Sequence, residues 1–143
     1  MKWIYALGLA ALLSGCPQGN SSAGGRARVL SSASEPNLTT CPVIRSDYII
    51  IKGENFGVAA DWISGTNKVI FFDNVTVPAA DAELTQADNP ATLLVKVPMS
   101  AQSGALVVEV GGVKSEPINV TIADVRSAQA IGECVYPKPP ILR

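Results

Sequence analysis

The sequence predicts an all-β domain, a two-sheet sandwich of about seven short strands. Three observations carry this. Short apolar and β-branched runs recur from Ala27 to Ile122, separated by turn signals. Alternation, clearest in Ile118 to Ile122, implies antiparallel sheets whose inner faces form one core. No long amphipathic helix interrupts them, and no internal repeat is evident.

The elements begin with a leader. Met1 and Lys2 give one positive charge, Trp3 to Leu13 is apolar and uncharged, and Ser14-Gly15 leads into Cys16. This is the pattern of a secretory signal peptide over residues 1–15. The run is too short to span a bilayer, which takes about 20 apolar residues. Leu13-Ser14-Gly15-Cys16 resembles the lipobox of bacterial lipoproteins. The resemblance implies a diacylglycerol on the Cys16 thiol, cleavage just before it, and a fatty acyl chain such as palmitate on the new amine. Two or three chains hold a membrane firmly, at about 0.8 kcal/mol per buried CH2. Pro17 stands where Asp marks inner-membrane retention in Gram-negative families, so the resemblance points to the outer membrane of the cell envelope. Residues 16–25 then read as a flexible Pro/Gly/Ser/Asn-rich tether.

Removing 15 of 143 residues leaves 128, which suits one domain. The mature chain carries 10 basic and 12 acidic residues, with no basic run. Nucleic-acid binding therefore has no electrostatic support.

Ala27 to Leu30 opens the sheets. Tyr48 to Ile51 is a β-branched run too short for a typical helix. Val69 to Phe72 follows, and Asp73-Asn74 turns the chain into Val75 to Val77. Ala79 to Ala87 has room for a turn of helix at most. Thr92 to Val97 is stopped by Pro98. Ala105 to Val110 meets Gly111-Gly112, a strong hairpin signal. Ile118 to Ile122 closes the set. The domain spans residues 26–136, with a tail over 137–143.

The segment Tyr48-Ile-Ile-Ile-Lys-Gly53-Glu-Asn55-Phe56-Gly57 resembles the signature of the IPT/TIG domain, an immunoglobulin-like fold. Val69-Ile70-Phe71 is similar to its Val-x-Phe strand, and Val95-Lys96-Val97-Pro98 to its "V-x-V-P" element. A Gly-led strand from Gly104 to Val110 and a Gly-rich hairpin complete the likeness, which runs from about Val29 to Ile122. It implies an immunoglobulin-like sandwich used as an interaction or spacer module. Three features depart from the family pattern. Glu35-Pro36-Asn37 and Cys41-Pro42 occupy the first connection, Asp73-Asn74 replaces Gly-Gly, and the loop from Val58 to Asn67 is long. Turn chemistry accounts for the signature residues. Gly53 and Gly57 supply positive φ or close backbone approach, Asn55 bonds the backbone of the same turn, and Phe56 plugs the core.

The chain has no histidine. That removes Ser-His-Asp and Cys-His catalysis in their usual form, and most zinc and iron sites. No phosphate-binding glycine loop is present, and no cofactor or metal is expected. Asp81, Glu83 and Asp88 do not match a calcium-loop spacing. Nothing selects a pair of carboxylates for glycoside hydrolysis. A non-enzyme is the expectation.

Trp62 is the one tryptophan left after cleavage, in the loop with Ile63. It serves either as a protein anchor or sugar platform, or as a cap folded onto the core. Two function classes follow. One is a non-catalytic lipoprotein that presents its sandwich to a protein or glycan. The other is an accessory carbohydrate-binding module or subunit of an envelope enzyme.

Cys41 and Cys134 remain beside lipidated Cys16. In an exported chain they form one disulfide or stay as two buried thiols. The immunoglobulin-like topology implies the disulfide. It sets the first strand, near Ala27 to Ser32, alongside and in the same direction as the last, Ile118 to Ile122. Both cysteines then emerge at one end, and the bond staples the tail to the first connection.

Overall fold

The computed structural model describes residues 25–86, 90–125 and 134–138. The leader, Cys16, the tether up to residue 24, Asp88 and residues 139–143 lie outside them. The chain forms β1 (Arg28–Val29), β2 (Val43–Ile44), β3 (Tyr48–Glu54), α1 (Ala59–Ile63), β4 (Lys68–Phe71), β5 (Val75–Thr76), β6 (Ala82–Leu84), β7 (Thr92–Lys96), β8 (Gly104–Val110), β9 (Val113–Lys114), β10 (Ile118–Val120) and β11 (Ile122–Ala123). Short 3-10 turns lie at Phe72–Asn74 and Ala79–Asp81. All seven runs read from the sequence contain strands. No helix among the described residues is long and apolar enough to cross a membrane.

The strands make two main sheets and a two-stranded ribbon of β2 with β11. One main sheet has the order β1-β3-β7-β6 and the other β10-β8-β4-β5, with β9 also paired to β8. The period of two decides what each strand buries. Ile49 and Ile51 of β3 and Leu93 and Val95 of β7 point inward from the first sheet. Val69 and Phe71 of β4 and Leu106 and Val108 of β8 face them from the second. Tyr48, Ile50, Leu94 and Val107, between them, stay partly exposed. These side chains form one hydrophobic core, so the molecule is an all-β sandwich with one short helix.

Local chemistry sets the turns. Val110 pairs with Val113 across Gly111 and Gly112, whose φ values are 57° and 80°. Positive φ at both positions is the type I′ requirement of a two-residue hairpin. Beyond it, Val110 pairs with Val113, yet Leu106 pairs with Ile118. The register has gained one residue, a β-bulge around Ser115 to Pro117. Pro117 has no N–H to give to a ladder. Ser115 instead locks the bulge. Its N–H donates to Val108 O at 2.8 Å, and its Oγ accepts the Val108 N–H at 3.0 Å.

The expected neighbours of the last strand require correction. The first strand, β1, pairs antiparallel with β3 and lies in the opposite sheet. The strand that runs beside and parallel to the end of the chain is β2, with Val43 opposite Ile122 and Ile44 opposite Ala123. The chain after β1 explains this. Ala33 and Ser34 turn back on Leu30 O, Glu35 bridges to Ile50 of the first sheet, and Leu38 is buried in the core. The backbone therefore leaves the first sheet after Glu35 and pairs again only at Val43, with β11.

Two ends result. One carries Glu54 to Gly57, Asn67, the Gly111-Gly112 turn and the start of β1. The other carries Ser46, Pro98, Met99 and Ser103, tied by Ser46 N–H to Val97 O at 2.9 Å and Ile122 N–H to Ser103 Oγ at 2.8 Å.

Candidate functional site

The connection from β3 to β4 holds the residues singled out in the sequence. Gly53 is a site of close approach. A Cβ there would stand 2.0 Å from Arg28 O and 2.4 Å from Phe56 Cζ. Asn55 has φ 59° and Gly57 φ 76°, so the turn is left-handed at both. Asn55 differs from expectation in its partner. Its Nδ2 donates to Arg26 O at 3.3 Å, across to the chain entering β1 and not within its own turn. Phe56 is fully buried, as expected of a core plug.

Trp62 takes the core-capping alternative. It is 1% exposed, and its indole N–H donates to Phe56 O at 2.7 Å. The anchor reading does not hold for it, because the five-residue helix α1 turns the ring inward. Ile63, the next residue, is 79% exposed, and Val58 just before the helix is 54% exposed. Sequence reasoning passed over Asn67, which completes this corner. It is buried, donates from Nδ2 to Phe56 O at 3.4 Å, and accepts the Gly111 N–H on Oδ1 at 3.0 Å. Its own N–H donates to Asp61 O at 3.0 Å. The side-chain amide thus joins the signature turn to the hairpin, and the backbone N–H of the same residue ties in the helix. The signal was a polar residue directly before a β-branched strand, which alone does not distinguish a buried hub from a loop tip.

α1 packs beside β6 and the Ala79–Asp81 turn, on the β5/β6 side of the sandwich. The opposite side, between β1 and β10, is bridged by Arg26. Its guanidinium donates to the carbonyls of Lys114 and Ser115 and pairs with Glu116. Below this bridge lies an open, mainly apolar cavity of about 300 Å³, lined by Ala27, Arg28, Val29 and Ile118. A second hollow, about 270 Å³, lies at the far end among Ser46, Pro78, Asp81, Lys96 and Met99. Among the described residues, no group of three or more His, Cys, Asp or Glu is placed to hold a metal ion.

Cys41 and Cys134 are bonded, with Cα atoms 5.9 Å apart. Tyr136 extends the attachment by donating from its hydroxyl to Pro42 O at 2.8 Å. The staple joins the tail to the residues just before β2, the strand already paired with β11.

No protein-family model matches the chain, and no curated protein matches it in sequence.

Proposed function

We propose that the chain is a cell-envelope lipoprotein, anchored through lipid on Cys16, that presents a non-catalytic immunoglobulin-like domain to a protein partner. The observation that carries the binding role is Ile63. A large aliphatic side chain almost wholly in solvent ends a helix that is fixed from within by Trp62 and begins after the exposed Val58. Rigid, exposed apolar groups of this kind suit protein contacts. A protein is favoured over a glycan because the tryptophan that would stack on a sugar has its ring in the core. The immunoglobulin-like reading is supported by strand order. The sheets β1-β3-β7-β6 and β10-β8-β4-β5 follow the A-B-E-D and G-F-C arrangement of such domains. The IPT/TIG resemblance agrees with it, since Gly53, Asn55, Phe56 and Gly57 each have a structural task. The anchor rests on Leu13 to Cys16 after a short apolar run, and Pro17 favours the outer membrane.

Partner capture from the native envelope tests this. Ile63→Glu should lose the captured protein while the melting temperature stays unchanged. Recovery of the same proteins in the same amounts by Ile63→Glu would contradict the assignment.

A further inference from the structure

The chain enters the domain at a fixed point. Arg26 is held on both sides. Its carbonyl accepts from Asn55 Nδ2, and its side chain donates to Lys114 O and Ser115 O and pairs with Glu116. Gly25 lies against the Asn55 side chain: a Cβ there would stand 2.6 Å from Asn55 Nδ2. The root of the tether therefore sits at the end that bears the Asn55 turn and the β8–β9 hairpin, and these contacts keep it from peeling back along β1.

The slack outside this root is short. Nine Cα steps separate Cys16 from Gly25. Even fully extended they reach at most about 32 Å. A domain of about 110 residues has a radius of gyration near 13 Å and is about 34 Å across. The tether is thus too short, even at full stretch, to run past the body it carries and set the far end on the surface. The hairpin tip beside the root suits a lipid-facing position. Gly111 and Gly112 stand in open space, and Val113 is 53% exposed.

We infer that the end carrying Asn55, Gly111, Gly112 and Val113 faces the lipid surface, and that the end carrying Ser46, Pro98 and Met99 points away from it. This rests on the reading of Cys16 as the anchor. It leaves Ile63, on the flank, open to a partner, and it makes Arg26 the positioning residue for the whole domain.

The experiment separates the two ideas. With Cys41 and Cys134 bonded, Cys16 is the free thiol of the mature chain. The 16–143 protein is coupled through Cys16 to a maleimide lipid in phosphatidylcholine nanodiscs containing a small fraction of gadolinium-chelate lipid. Amide resonances are then recorded. The expected result is strong broadening at Asn55 and Gly111 to Val113, with intensity retained at Ser46 and Met99. Arg26→Ala should lessen the contrast by lengthening the free tether. Equal broadening at both ends, or stronger broadening at Met99, would overturn the orientation. The anchor itself is read separately, by the intact mass of protein purified from native membranes. Absence of acyl mass there would defeat the lipoprotein reading while the coupled sample still reports the geometry.

Discussion

Trp62 and Ile63 are neighbours with opposite consequences. Removing the indole of Trp62 opens a cavity between the sheets and strips Phe56 O of its shorter hydrogen bond. Large aromatic truncations in a core cost about 3–5 kcal/mol, so Trp62→Ala should lower the melting temperature sharply. Removing the Ile63 side chain leaves no cavity, and a surface change away from special features stays within about 0.5 kcal/mol. Thermal melts of the two variants check the contrast, and equal shifts would contradict the placement of either residue. Asn67 should behave as a hub. Asn67→Ala takes the partner from the Gly111 N–H and leaves Phe56 O with the Trp62 indole alone, two hydrogen bonds at about 0.5–1.5 kcal/mol each. Denaturant unfolding gives the value, and a loss well below 1 kcal/mol would show that the amide joins nothing. Glycine makes the same point through sterics. Gly53→Ala drives a methyl into Arg28 O, while Gly111→Ala meets open space and suffers only its positive φ. Gly53→Ala should be the more destabilising by a clear margin in the same unfolding assay.

At the scale of elements, the disulfide adds most where local pairing is weakest. β2 and β11 are two residues each, too short to hold the tail by ladder bonds alone. The bond between Cys41 and Cys134 closes a loop with a sequence separation of 93. In the chain-entropy model such a loop is worth about 4–5 kcal/mol. Cys41→Ser with Cys134→Ser should therefore cost several kcal/mol, measured by denaturant unfolding with and without reductant. Reduction that leaves the unfolding midpoint of the parent protein unchanged would contradict it. Element type was legible wherever a short β-branched run lay between turn signals. Tyr48 to Lys52, Thr92 to Lys96 and Gly104 to Val110 are mostly apolar in sequence, and the period of two appears in their burial. Four elements were not legible. Ala82–Leu84 has no β-branched residue and becomes a strand only because β7 offers an edge. Ala59–Ile63 has no side-chain cap and is helical because Trp62 packs inward. Val43–Ile44 and Val113–Lys114 are too short for any period to appear. The exit of the chain from the first sheet before β2 was missed for a related reason. It is made by a turn and one buried leucine, Leu38, and neither carries a repeat.

At the scale of the whole molecule, fold and function were legible to different depths. The sandwich follows from alternation and turns, which are local. The candidate contact does not, since Trp62 and Ile63 are adjacent in sequence and only packing decides which one faces water. The proposed leader is the reverse case: its reading rests on charge, apolar length and the Leu13 to Cys16 motif alone, all outside the described residues. In the proposed reading, a short tether rooted at Arg26 holds a disulfide-stapled sandwich close to a membrane, with Ile63 exposed on its flank. Replacing Cys16 with Ser should move the protein from the membrane fraction to the soluble fraction, with its melting temperature unchanged. Retention in the membrane fraction would point to another means of attachment. The most direct measurement is the intact mass and N-terminal sequence of the protein purified from native membranes. The account predicts a chain that begins at Cys16 and carries the added mass of a diacylglycerol and a fatty acyl group. A mature chain that begins elsewhere, with no acyl mass, would contradict it.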